Sequence, residues 1–285
     1  MKQCFIHHER SKAVGDSPRL CYISKIDKED CSYPRILHQH EENLEVFFIL
    51  EGQGSFFIHE ERYLVKKGDL VIYNSRIVHD ELFRDVVEPL AWICLGVNNI
   101  KQQGLKNNAL IDDNESPVLN AGEYGVLLRA GLPLLFETAV NHQDALTETV
   151  DYFFKGIWQI VEQLVDGRRV AMIEEHHDPL VAEIKDYIDN HFAEPITLSG
   201  LEKRWPISKY HFSHRFKEFY DYTRMDYLKL RRIGEAQTLL IWSDLSISEI
   251  AQEVGFNSDS YFVTVFKRIV SKTPVAYRKY FLEEK

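Results

Sequence analysis

No run in this 285-residue chain approaches the ~18 apolar residues that a membrane-spanning helix requires. Its first residues, Met1 to Lys12, are polar and lack the apolar stretch of a signal peptide, so a cytoplasmic protein without membrane association is expected. Cysteine is scarce. Cys4, Cys21, Cys31 and Cys94 all lie in the first third and make no CxxC pair, which argues against a zinc ribbon or redox motif and for reduced thiols. Basic charge is also short: the net charge of -10 speaks against a protein that grips a polyanion unless the charges are unevenly placed.

They are unevenly placed. Residues 180–285 hold 16 Lys and Arg against 15 Asp and Glu, leaving 18 against 29 for residues 1–179. Within 201–232 there are nine basic and four acidic residues, so phosphate would be repelled by one half and attracted by part of the other. The length suits two cores with a connector, and a hydrophobic fraction of 45% with 12% aromatics can fill them.

From Leu44 to Val97 the chain reads as short strands broken by turn signals. Leu44 to Leu50 precedes Gly52-Gln53-Gly54, Ser55 to His59 follows, and Tyr63 to Val65 and Leu70 to Tyr73 flank Lys67-Gly68-Asp69. Closely spaced short strands indicate a barrel or sandwich. After a loop-like stretch from Asn98 to Asn120 the period becomes helical, with Val150, Phe153, Phe154, Ile157, Ile160, Val161 and Leu164 forming a stripe that packs on the barrel or on the same helix of a second subunit. The polar stretches Asp166 to Arg169 and His176 to Pro179 resemble linkers. The expected organisation is a two-domain α+β protein: a β-barrel over 1–120, a helical connector with a dimerisation role over 121–178, and an all-α domain over 179–285.

The last hundred residues repeat. Trp205-Pro206-Ile207-Ser208 leads to His211-Phe212, Phe216-Lys217 and Tyr227; fifty residues later Val254-Gly255-Phe256-Asn257 leads to Tyr261-Phe262, Phe266-Lys267 and Tyr277. In the second copy Ser246 and Glu249 form a capping box, Ile250 and Ala251 give a thin apolar face, and Gly255 supplies a left-handed helix end. A second helix begins near Asn257 or Ser258 and buries Phe262 and Phe266. These are the parts of a helix-turn-helix, whose second helix fits the major groove. One copy alone reads equally well as a plain helical bundle; two copies on one domain could enter successive major grooves about 34 Å apart.

Residues 184–281 resemble the DNA-binding domain of the AraC/XylS transcription regulators. The resemblance runs through Arg232-Ile233, Ala236, Leu239-Leu240, Ile247-Ser248-Glu249-Ile250-Ala251, Val254-Gly255-Phe256, Ser260-Tyr261-Phe262, Phe266-Lys267, and Thr273-Pro274 to Tyr277-Arg278. It implies two helix-turn-helix units joined by a long helix, about Arg224 to Trp242, and asymmetric DNA sites. Ser208, Lys209, Tyr210, Ser213, His214 and Lys217 are the DNA-facing residues expected of the first unit. Asn257, Ser258, Ser260, Tyr261, Thr264, Lys267 and Arg268 are those of the second, with Arg232 between. The sequence departs from the family at Glu202, where a small Ala is usual, and at Asp221 and Ser271, which replace a Gly. His214 and Thr264 stand where Arg is frequent, which removes two guanine contacts and implies an altered base preference.

His38 and His40, then Glu45, Gly52, Gly68-Asp69 and His79 resemble the two cupin motifs, although the Pro expected before the last His is absent, with Ser75 near its place. On a strand His38 and His40 face one side and Glu45 the other, so a turn or bulge at Glu41 to Asn43 is needed for convergence. If they converge, His38, His40, Glu45 and His79 form a ligand set for a divalent metal. Otherwise they are polar lining for an organic effector. Tyr73 and Trp92 complete the expected effector site, for a sugar or another small molecule. No cofactor is required on this reading. The expected function is a transcription regulator, carried as an activator, that binds double-stranded DNA as a homodimer and answers to a small molecule, with RNA polymerase as a further partner and no enzymatic activity. The alternative is a metal-dependent cupin enzyme whose helical domain serves in assembly.

Overall fold

The computed structural model of the protein describes residues 2–6, 17–28, 35–58, 61–81, 84–141, 147–167, 179–205, 216–217, 220 and 222–282. The N-terminal half is one antiparallel sheet of seven strands: β1 (Lys2–Phe5), β2 (Arg19–Ile26), β3 (Leu44–Ile58), β4 (Glu61–Lys66), β5 (Asp69–Tyr73), β6 (Arg84–Asn98) and β7 (Val118–Asn120). The strand order is β1-β2-β6-β3-β5-β7, with β4 also paired to β3. Among the described residues no pairing joins β1 to β7, so the expected closed barrel is an open sheet. Closure is one way to relieve an edge and cover is another. Here the edge strand β1 is covered by a helix, to which Cys4 Sγ donates at the Ala139 carbonyl over 3.4 Å.

The Gly52-Gln53-Gly54 signal, expected as a turn, lies inside β3. That strand runs unbroken for 15 residues and bends through register shifts between Ile49 and Ser55. Its first part pairs with β5 and its second with β4, while β6 accompanies nearly all of it. Alternation sends Val46 and Phe48 to one face and Glu45 and Phe47 to the other, and both faces are buried. The first face, with Leu70, Ile72, Ile93 and Leu95, packs beneath α1 (Gly125–Asn141) and α2 (Thr147–Asp166). The stripe from Val150 to Val161 is therefore covered by the chain's own sheet and by α1. Each large side chain buried there contributes on the order of 1.5–3 kcal/mol.

Six further α-helices follow among the described residues: α3 (Pro179–His191), α4 (Leu198–Arg204), α5 (Arg224–Trp242), α6 (Ile247–Glu253), α7 (Asp259–Val270) and α8 (Pro274–Leu282). The long helix expected from Arg224 to Trp242 is α5, capped by the Thr223 side chain. Its inner face buries Tyr227, Leu228, Ile233, Ala236 and Leu240. The second face of the sheet, with Phe47, Tyr73 and Trp92, joins the same apolar cluster as this helical domain. No helix among the described residues is long and apolar enough to cross a membrane.

Candidate nucleic-acid interface and buried histidine site

The second helix-turn-helix forms as its sequence requires. The Glu249 amide donates to Ser246 Oγ over 3.2 Å and the Ser246 amide to Glu249 Oε2 over 2.7 Å, closing the capping box that starts α6. Gly255 ends that helix at φ +84°, and a Cβ there would lie 2.5 Å from the Ala193 carbonyl oxygen. Only glycine meets both demands. Ser258 caps α7 by accepting from the Tyr261 amide. Phe262, Val265 and Phe266 are buried, while Asn257, Ser258, Ser260, Tyr261, Thr264, Lys267 and Arg268 are exposed. An exposed aromatic, hydroxyls, an amide and two cations on one short helix make a surface for base edges and phosphates. The helix closes on Ser271, which takes φ +65° where the resembling domains have glycine.

The first unit is seen in part. Ser208, Lys209, Tyr210, Ser213 and His214 lie outside the described residues; Phe216 is buried and Lys217 exposed. The repeat nevertheless has a geometric counterpart. Phe216 meets Tyr227 at 5.7 Å and 78°, and Phe266 meets Tyr277 at 5.6 Å and 77°. The same two rings thus brace each unit. Arg232, expected at DNA, is half-buried: its guanidinium donates to the Phe192 and Glu194 carbonyls, both over 2.7 Å, and lies over the Phe256 ring. Its donors hold the segment after α3 to α5.

On the sheet's other face the four expected ligands converge. The backbone bends at Glu41 and Glu42, held where the Arg76 amide donates to the His40 carbonyl and Asn108 Nδ2 to the Glu42 carbonyl. This bend reverses the parity of Glu45 relative to His38 and His40. Potential donor atoms of His38, His40, Glu45 and His79 all lie within 4.8 Å of one another, and all four residues are buried. His38 Nδ1 and His79 Nδ1 lie 2.8 Å from the carbonyls of Ile36 and Ile77. A carbonyl accepts only, so both Nδ1 atoms carry hydrogen; the neutral His38 ring presents a bare Nε2, while His79 Nε2 faces the Glu45 carboxylate.

The consequence falls on Glu45. His79 Nε2 is 3.0 Å from Glu45 Oε2 and His40 Nε2 is 3.4 Å from Oε1, the latter without the alignment of a hydrogen bond. His38 Nε2 and His40 Nε2 are buried without a hydrogen-bond partner. Burial pushes the Glu45 carboxyl up, but His40 and His79 outweigh it and hold it well below the usual range. Burial, with Arg35 and the other two imidazoles, holds His38 well below the usual imidazole range; His79 is lowered by burial against the opposing Glu45. Three imidazole nitrogens and an ionised carboxylate facing inward fit a first-row divalent ion.

Tyr22 and Cys94 also donate to Glu45, and neither was legible as a site residue. Tyr73 stacks on His79 at 4.1 Å and 11°. Trp92, expected to stack on an effector, is a core side chain wedged against Phe47 and Phe56. A polar cavity of about 900 Å³ opens nearby between residues including Arg19, Arg76, Asn99 and Asn108; neither Tyr73 nor Trp92 lines it.

A helix-turn-helix domain model matches residues 201–280 and a cupin domain model matches 25–96. The uncharacterized HTH-type transcriptional regulator YdiP of Escherichia coli (strain K12) is 25% identical over 285 residues, spanning 98% of this chain and 92% of that protein. YdeC of Bacillus subtilis (strain 168), an uncharacterized regulator of the same type, is 26% identical over 287 residues, spanning 92% of each. Among solved structures, the C-terminal domain of the two-component response regulator yesN from Fusobacterium nucleatum is 32% identical, with a TM-score of 0.34, covering 35% of this chain and 99% of that one. The paired ring contacts, the capped second unit, the cupin ligand spacing and relatives aligned over nearly the whole length agree: the chain belongs to the AraC/XylS family of helix-turn-helix transcription regulators, with a cupin domain ahead of its DNA-binding domain.

Proposed function

We propose that this regulator senses a divalent metal held by His38, His40, Glu45 and His79, and that occupancy of this site governs how it binds its operator. One observation carries the reading: two imidazole nitrogens, His38 Nε2 and His40 Nε2, are buried without hydrogen-bond partners, and a third faces a carboxylate oxygen at 3.0 Å. Unsatisfied buried polar groups cost about 1–3 kcal/mol each. A single cation would satisfy all of them. The bound ion would supply charge neutralisation and a fixed geometry, and the chain's own residues would do the rest: the Ile36 and Ile77 carbonyls orient two rings and Tyr22 anchors the carboxylate. The Tyr73 hydroxyl, buried beside them without a hydrogen-bond partner among the described residues, is the group we assign to an oxygen-bearing effector.

DNA is read, on this account, by Lys217 in the first unit and by Asn257, Ser258, Ser260, Tyr261, Thr264, Lys267 and Arg268 in the second. The free thiols of Cys21 and Cys94 suit a reducing cytoplasm, where RNA polymerase is the partner that an activator bound beside a promoter would touch. Metal analysis after purification, followed by titration calorimetry with Zn²⁺, Ni²⁺, Mn²⁺ and Fe²⁺, tests the sensor. The expected result is one ion per chain, lost in His38→Ala/His79→Ala, with about 2.7 kcal/mol of added stability at a hundredfold excess over Kd. No retained ion and no stabilisation by any of the four would remove the metal from the account. Turnover of a substrate by the loaded protein would favour the cupin-enzyme alternative, against which the naming of the full-length relatives as transcriptional regulators weighs.

A further inference from the structure

We propose that Gly234 and Gln237 on α5 are positioning residues for the metal site, reached through the Ile36 carbonyl, so that metal occupancy is felt by the helix that joins the two DNA-binding units. The inference rests on the sensor reading above and adds its route. Ile36 O accepts from His38 Nδ1 over 2.8 Å. The same oxygen lies against α5: a Cβ on Gly234 would sit 2.6 Å from Ile36 O and 1.9 Å from Leu37 O. Helix backbone and sensor backbone are thus in contact, which no residue but glycine permits.

The neighbouring positions on that helix face hold the segment in place. The Ile36 amide donates to Gln237 Oε1 over 2.9 Å, and Arg35 Nη2 donates to Thr238 Oγ1 over 3.1 Å. Gln237 is fully buried. A second arm runs from Glu45. Tyr22 donates to that carboxylate and packs edge-on against Trp242, the last residue of α5, at 5.3 Å; Phe5 flanks the same indole at 4.3 Å. Two of the four ligands are therefore one hydrogen bond away from a residue that touches α5.

The direction of the coupling follows from the tautomer. Ligation through His38 Nε2 needs hydrogen on Nδ1, and donation to Ile36 O fixes it there. Metal binding and the docked position of residues 35–37 on α5 therefore favour one another. Binding linkage is reciprocal, so loosening the dock must weaken the metal as much as the metal tightens the dock.

Three measurements decide the proposal. Zn²⁺ titration of the full chain should give affinities about 10- to 100-fold weaker in Gly234→Ala and in the milder Gln237→Leu than in the natural protein, the range for losing a ligand's outer support. Neither side chain belongs to the ligand set, and circular dichroism reports whether each variant folds. In metal-free protein, hydrogen exchange at the Ile36 amide should rise at least about tenfold on His38→Ala, although His38 is not its partner. Unchanged Zn²⁺ affinity in both variants, or unchanged Ile36 exchange, overturns the relay. Absence of Zn²⁺ binding by the natural protein would sink the sensor reading instead, and the exchange result would still decide the contact between His38 and α5.

Discussion

Phe266→Ala is expected to destabilise the C-terminal domain by about 3–5 kcal/mol and to abolish operator binding at moderate salt. The ring is fully buried in α7, 5.7 Å from Phe262 and 5.6 Å from Tyr277. Removing it leaves a cavity between two helices that a close-packed interior closes only in part. Domains are stable by roughly 5–15 kcal/mol, so the loss is a large share of the total. Urea unfolding followed by far-ultraviolet circular dichroism gives the energy, and a gel shift gives the binding. A cost below about 1 kcal/mol would mean that the paired Phe and Tyr rings do not brace the unit, and the repeat would lose its physical meaning.

Asp189→Ala is expected to cost a similar amount, about 3–5 kcal/mol, by a different mechanism. The Asp189 carboxylate on α3 accepts from Lys185 Nζ at 2.8 Å and from the Tyr227 hydroxyl at 2.9 Å, with Arg231 Nε at 3.9 Å. Lys185 and Arg231 are 1% and 0% exposed, so among the described residues alanine would strand an ammonium with no counter-ion and leave Arg231 with Glu235 alone. Replacing Lys185 and Asp189 together by Met and Leu should lose much less than Asp189→Ala, because no buried ion is then orphaned. Equal losses in the single and double variants would show that packing, not charge, holds α3 to α5.

What the sequence revealed divides along local and distant interactions. The capping box at Ser246 and Glu249, the left-handed Gly255, the ends of α5 and the Phe-to-Tyr spacing are set by residues close in the chain, and each formed as read. The need for a bend before Glu45 was also legible, because strand parity is fixed by geometry. Glycines misled at Gly52-Gln53-Gly54: the pair reads as a turn, yet continuous pairing with β6 on one side and β4 on the other makes it a bend in a 15-residue strand. Strands β1, β2 and β7 carried too little pattern to be read, and an open sheet edge depends on what covers it. Arg232 reads as a DNA-facing residue within a basic stretch; only the fold shows its carbonyl partners just after α3. Tyr22, Arg35 and Asp189 owe their roles to contacts with residues 23, 203 and 38 positions away, which no local pattern records.

The central claim is that the two units on either side of α5 read DNA sequence. Selection of bound duplexes from a random pool by the full-length protein, at two salt concentrations, tests it most directly. The account predicts an enriched asymmetric motif whose two parts lie about 10 base pairs apart. It also predicts that Lys217→Ala/Lys267→Ala lowers the slope of log affinity against log salt by about 2. No enrichment, or a slope unchanged by the double substitution, would contradict it.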